Sequence, residues 1–153
     1  DGGTSHARAI IHRHRRSGVA LGAARAENVV LNAQYQELLI KTAILTFNDA
    51  NLTGNYDVFH ARLAKPFRDE FSPDKLKQAF KDFHDKKVDL SAIVLKPPVP
   101  TADATIDKRG ALILRGYFET APSRVYYDLD LIPSEDAWKP IKIHVRVKPA
   151  DEK

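Results

Sequence analysis

Two stretches decide the fold: Val125-Tyr126-Tyr127-Asp128-Leu129-Asp130-Leu131-Ile132 and Ile141-Lys142-Ile143-His144-Val145-Arg146-Val147-Lys148. In the first, Val125, Tyr127, Leu129 and Leu131 alternate with Tyr126, Asp128 and Asp130. In the second, Ile141, Ile143, Val145 and Val147 alternate with Lys142, His144 and Arg146. A period of two sends successive side chains to opposite faces of a strand, so each stretch has one apolar and one polar face. That is the pattern of an antiparallel sheet covered on one side. A turn over Pro133 to Ala137 joins the two. Upstream, Thr105 to Asp107 and Ala111 to Glu119 flank Lys108-Arg109-Gly110, which reads as a hairpin turn with glycine supplying a positive φ. Ser91 to Lys96 reads as a further strand, halted by Pro97 and Pro98.

Before Lys87 the period is 3.6. From Asn32 to about Ala50, Tyr35, Leu38, Leu39, Ala43 and Thr46 follow helical spacing, and Ile40, Ile44, Leu45 and Phe47 widen the apolar surface. Glu37 and Lys41 stand four apart in the favourable order on the narrow polar stripe. After a turn containing Gly54, Tyr56, Phe59 and Leu63 mark a short second helix that Pro66 should end or kink. Ser72-Pro73-Asp74 opens a third: serine at the N-cap, proline in the first position, aspartate at the positive end of the helix dipole. Its buried stripe is Leu76, Ala79, Phe80 and Phe83. The expected fold class is α+β, three N-terminal helices packed on a curved antiparallel sheet of about four to five strands, forming one domain over residues 27–153.

Residues 1–26 read differently. They carry Arg8, Arg13, Arg15, Arg16 and Arg25 against Asp1 alone, which accounts for the whole net charge of +4. The segment reads as a basic, disordered appendage or signal remnant, because Ala24-Arg25-Ala26 resembles an A-x-A cleavage site after an arginine-rich run. The corresponding expectation is an exported or periplasmic protein, with the natural start elsewhere. From Glu27 onward acids and bases balance, so the sequence shows no overall footprint for nucleic acid. The longest nearly apolar stretch, Leu38 to Phe47, is far shorter than the roughly 20 residues of a membrane span. With no cysteine, disulfides and thiolate metal sites are excluded.

Three helices followed by an alternating sheet resemble the nuclear transport factor 2-like (cystatin-like cone) superfamily, which includes ketosteroid isomerase and scytalone dehydratase. The residues that carry the resemblance are FNDANLTGNYDVFHARLAKPFRDEFSPDKLKQAFKDF, residues 47–83, and the last strand from Trp138-Lys139. The helix text is similar to small bacterial exported domains of that superfamily with no assigned activity. The resemblance implies a pocket between the first helix and the sheet. On that reading the pocket residues are Leu38, Leu45, Phe59, Phe80, Leu114, Phe118, Tyr127 and Leu129.

No tyrosine and aspartate pair matches an isomerase site residue by residue. The candidates for acid or base chemistry are His60, Asp49 and Tyr56, with Tyr56 placed to orient either of the others. His6, His12 and His14 are interleaved with arginines that oppose a divalent cation, so no metal and no cofactor is expected. Asp128 and Asp130 lie on the polar strand face, where Arg115, Lys142, His144 and Arg146 offer cross-strand partners. The preferred functional reading is a non-enzymatic domain that binds a small apolar molecule or a protein partner in the pocket. The alternatives are an isomerase- or dehydratase-type enzyme, and a structural module that dimerises through the polar sheet face carrying Tyr117, Tyr126, Asp128, His144 and Arg146.

Overall fold

The computed structural model describes residues 7–12 and 32–149. Its elements run β1 (Ala7–His12), α1 (Ala33–Thr53), α2 (Asp57–Ala61), α3 (Lys65–Glu70), α4 (Pro73–Ala79), α5 (Lys81–Asp85), a 3-10 turn over Ser91–Leu95, β2 (Val99–Pro100), β3 (Thr105–Ile106), β4 (Leu112–Phe118), β5 (Ser123–Ser134) and β6 (Ala137–Pro149). The class is α+β, with one antiparallel six-stranded sheet in the order β1-β6-β5-β4-β2, β3 also pairing β4. Among the described residues no helix is long and apolar enough to cross a membrane.

The alternating stretches form the centre of the sheet. Val125, Tyr127, Leu129, Leu131, Ile141, Ile143 and Val145 are all buried, as their spacing requires. The β5–β6 turn is tighter than expected, only Glu135 and Asp136, both at positive φ (52° and 66°), so the strands run two residues further on one side and one on the other. Two residues of left-handed backbone match the twist of the flanking strands. A register shift at Asp130/Leu131 adds a local bend.

Five helices replace the three expected, for two local reasons. Ala64 takes extended geometry (φ −63°, ψ 148°) and its N–H donates to the Pro140 carbonyl at 3.0 Å, which ties the chain to β6 and separates α2 from α3. Phe80, at φ −108° and ψ 21°, interrupts the third helix and divides α4 from α5. The caps follow the sequence. Asn32 accepts from the Gln34 and Tyr35 amides at 2.8 and 3.1 Å, Gly54 ends α1 at φ 78°, and Ser72 accepts from the Lys75 amide at 3.2 Å.

Two further expectations are corrected. Ser91–Leu95 is a 3-10 turn and not a strand. Asn48, 1% exposed on α1, accepts from the Leu90 amide at 2.9 Å and donates to Asp89 Oδ1 and Ser91 Oγ at 3.2 Å each. These bonds hold the segment against the helix, where a strand's ladder could not form. Ala7–His12, inside the stretch read as a disordered appendage, forms β1 along β6, with Ile11 buried opposite Ile143. The cleavage-site reading at Ala24-Arg25-Ala26 lies outside the described residues.

The core is closely packed where α1 meets the other helices. Phe47 meets Phe80, Phe83 and Phe59 at ring-centroid distances of 4.8, 5.2 and 5.7 Å, the first nearly edge-on at 88°. All four rings are at most 2% exposed. Fully burying each is worth roughly 1.5–3 kcal/mol, with edge-to-face geometry adding to it.

Candidate binding site

Two stripes of α1 face different neighbours. Ile40, Ala43, Ile44, Phe47 and Asn51 point into the core. Tyr35, Leu38, Leu39, Thr42 and Thr46 form the wall of an open groove that is closed on its other sides by α2 and by the start of β6. Its volume is about 430 Å³, and its remaining lining includes Phe59, Arg62, Leu63, Leu131, Trp138, Lys139 and Pro140. Leu38 is 59% exposed, a large apolar side chain left at the mouth. Trp138, the only tryptophan in the chain, packs half-buried against the core beside it. The groove's polar groups stand apart: Lys139 Nζ reaches Glu135 at 3.1 Å, and Thr46 Oγ1 donates to the Thr42 carbonyl at 2.6 Å.

The eight expected pocket residues divide into three groups. Leu38 and Phe59 line the groove. Leu114 and Tyr127 line a separate recess of about 240 Å³ between the start of α1 and residues 97–104. Phe80, Phe118 and Leu129 are closed inside the core, and Leu45 packs partly buried against it. The open volume between α1 and the sheet therefore lies at the end where α1 faces the start of β6, and several of the residues expected to line it are closed inside the core instead. Leu39, Thr42, Trp138 and Pro140 were not among the expected lining. The helical spacing of Tyr35, Leu38, Leu39 and Thr46 was legible, but it reads as core until Trp138 is known to stand opposite.

The side chains of the three acid or base candidates have different partners. Tyr56, 2% exposed, donates its hydroxyl to Asn51 Oδ1, and burial pushes its pKa up to about 12. His60 donates from Nε2 to the Arg68 carbonyl at 3.3 Å. Asp49 is exposed on α1. The His60 amide donates to the Tyr56 carbonyl at 2.9 Å, but no side-chain hydrogen bond links one candidate to another among the described residues, so the Tyr56 hydroxyl, held by Asn51, orients neither the His60 ring nor the Asp49 carboxyl. Tyr127 is likewise buried, with its pKa pushed up to about 12. A phenol held neutral to that extent is no base near neutral pH.

On the polar sheet face the expected cross-strand pairing is present. Arg115 Nε lies 3.1 Å and Lys142 Nζ 2.9 Å from the two oxygens of Asp128. Burial works to raise the Asp128 pKa, and the bonds from Lys142 and Arg115 outweigh it, leaving the carboxyl below its ordinary range. Asp130 instead meets Arg109 at 2.8 Å, which also holds Asp107 at 2.6 Å. No group of three or more His, Asp or Glu side chains that could hold a metal occurs among the described residues. No protein-family model, curated protein or solved structure matches the chain.

Proposed function

We propose that this protein is a binding domain that takes a small apolar molecule into the groove between α1, α2 and the start of β6. The observation that carries the reading is the groove itself: about 430 Å³ of open space, walled by Leu38, Leu39, Leu63, Leu131 and Trp138. Ligand sites are typically clefts of roughly 300–1,000 Å³ with a mainly apolar lining and a few polar groups. Arg62 and Lys139 are the charged members of this lining and suit the polar end of such a molecule. None of Tyr56, His60 and Asp49 is among the residues that line the groove, which favours binding over the isomerase- or dehydratase-type alternative, because that alternative needs an acid and a base converging on one substrate. The reading also places the chain as a filled variant of the nuclear transport factor 2-like cone, supported by its helices preceding most of an antiparallel sheet.

Trp138 reports on the groove directly. Titrating straight-chain alkanols of increasing length should change its emission saturably, with affinity rising about fourfold per added methylene, the equivalent of ~0.8 kcal/mol for each buried CH₂. Leu38→Asp should abolish the response while leaving the melting transition in place, and His60→Ala should leave it unchanged. An emission indifferent to every alkanol, or affinities independent of chain length, would remove the proposal.

A further inference from the structure

The polar face of the sheet carries a second cleft, independent of the groove and of about 420 Å³. Its charge is lopsided. Arg8 on β1, Arg115 on β4 and Arg146 on β6 line it, with Asp128 as its one carboxylate among the described residues. Asp128 is already engaged by Arg115 and by Lys142. Arg8 and Arg146 are direct cross-strand partners, and neither has an ion pair with a carboxylate among the described residues. Like charges directly opposed across a sheet repel, and here nothing described offsets them. Arg146 is further fixed in place over the Tyr126 ring, 5.0 Å from its centroid. His144, between these strands' cations and opposite Asp128, has a buried Nε2 with no hydrogen-bond partner among the described residues. Burial first, and then the charges of Arg8 and Arg146, hold the His144 pKa below its ordinary value, so near neutral pH the ring is uncharged with one N–H to donate.

Among the described residues the cleft lacks an acceptor carrying about two negative charges. We infer that it binds a phosphomonoester, whose oxygens pair with the guanidinium groups of Arg8 and Arg146 beside the neutral ring of His144. Such a group carries roughly −1.5 to −2 charges at pH 7 and three strong acceptor oxygens, and guanidinium forks suit it geometrically. The volume exceeds that of a bare phosphate and leaves room for an organic body beside Tyr126. The same lopsided charge argues against a second copy of this chain as the occupant: a twofold axis would bring identical basic patches face to face.

The test is calorimetric titration of the full chain at pH 7.5 and low salt with phenyl phosphate, phenyl sulfate and inorganic phosphate. Phenyl phosphate should bind saturably, at least tenfold tighter than the singly charged phenyl sulfate and tighter than inorganic phosphate. Arg8→Gln, on an exposed edge position, and Arg146→Gln should each weaken it about tenfold or more, whereas Arg124→Gln, on the same face outside the cleft, should not. In the unmutated protein the His144 ring resonances should shift on binding, a readout that does not depend on any variant folding. The inference is overturned by a lack of saturable heat with phenyl phosphate, by phenyl sulfate or inorganic phosphate binding equally well, by indifference to both arginine substitutions, or by unmoved His144 resonances.

Discussion

Phe47→Ala separates a filled interior from an open one. The ring is 0% exposed and touches three other rings at 4.8–5.7 Å, so its removal loses both burial and edge contacts. Phe→Ala in a core costs about 3–5 kcal/mol, and the dense aromatic surroundings, which cannot collapse into the gap, place this site in the upper half. Alanine's better helix propensity returns only about half a kcal/mol. A total stability of ~5–15 kcal/mol would lose much of its margin. Urea unfolding followed by Trp138 emission should show the midpoint falling by about 2 M with an unchanged slope, taking a slope of roughly 2 kcal/mol per molar. Leu38→Ala, at a position 59% exposed, should move it by less than ~0.5 kcal/mol. A Phe47→Ala cost below ~1 kcal/mol would refute the reasoning, because it would mean that the ring faces open space.

Asn48→Ala should destabilise by about 2–3 kcal/mol, since it strands the buried Leu90 amide and frees Asp89 and Ser91; amide exchange at Leu90 should accelerate with it, and slow exchange there would contradict the assignment. Gly116→Ala would drive its Cβ into the Val99 carbonyl oxygen and the Tyr127 hydroxyl, costing about 1–3 kcal/mol. Adding Tyr127→Phe should restore only part of that in a thermal melt, because the Val99 backbone remains in the way. His144 also gives stability a pH dependence. Its pKa is depressed in the folded protein by burial and by Arg8, Arg146 and Lys142, against the pull of Asp128. The stabilisation is therefore fully present above the unfolded imidazole value of about 6.5 and is lost as pH falls through the folded value. His144→Gln should flatten the melting temperature over that window, ahead of the losses that follow at lower pH as Asp89, Asp107 and Asp128, all depressed, are protonated.

The sheet was legible because its strands at β5 and β6 keep a strict period of two over buried positions, and any slip in register would expose Tyr127, Leu129, Ile143 and Val145 together. Local chemistry was equally readable: the Ser72-Pro73 cap, the Glu37–Lys41 pair at 2.8 Å, and the hairpin glycine Gly110 at φ 81°. What failed depended on distant partners. Ser91–Leu95 has the composition of a strand, and only the side chain of Asn48, more than forty positions away in sequence, turns it into a 3-10 turn. Ala7–His12 is too short and too close to the arginine run to show its alternation, yet Ile11 finds Ile143 across 132 positions of sequence. The groove was hidden for the same reason, since its helical wall was visible in the spacing while Trp138, opposite, belongs to the far end of the chain.

The central claim is that the open, ligand-accepting volume lies at Leu38 and Trp138, outside a filled core. Methyl and ring chemical-shift mapping of the protein titrated with decanol tests it most directly. The perturbations should concentrate on Leu38, Leu39, Ala43, Leu131 and Trp138, with the buried Phe47, Phe118 and Leu129 unmoved. Perturbations centred on Phe47, Phe118 and Leu129 would place the ligand inside the core and contradict it.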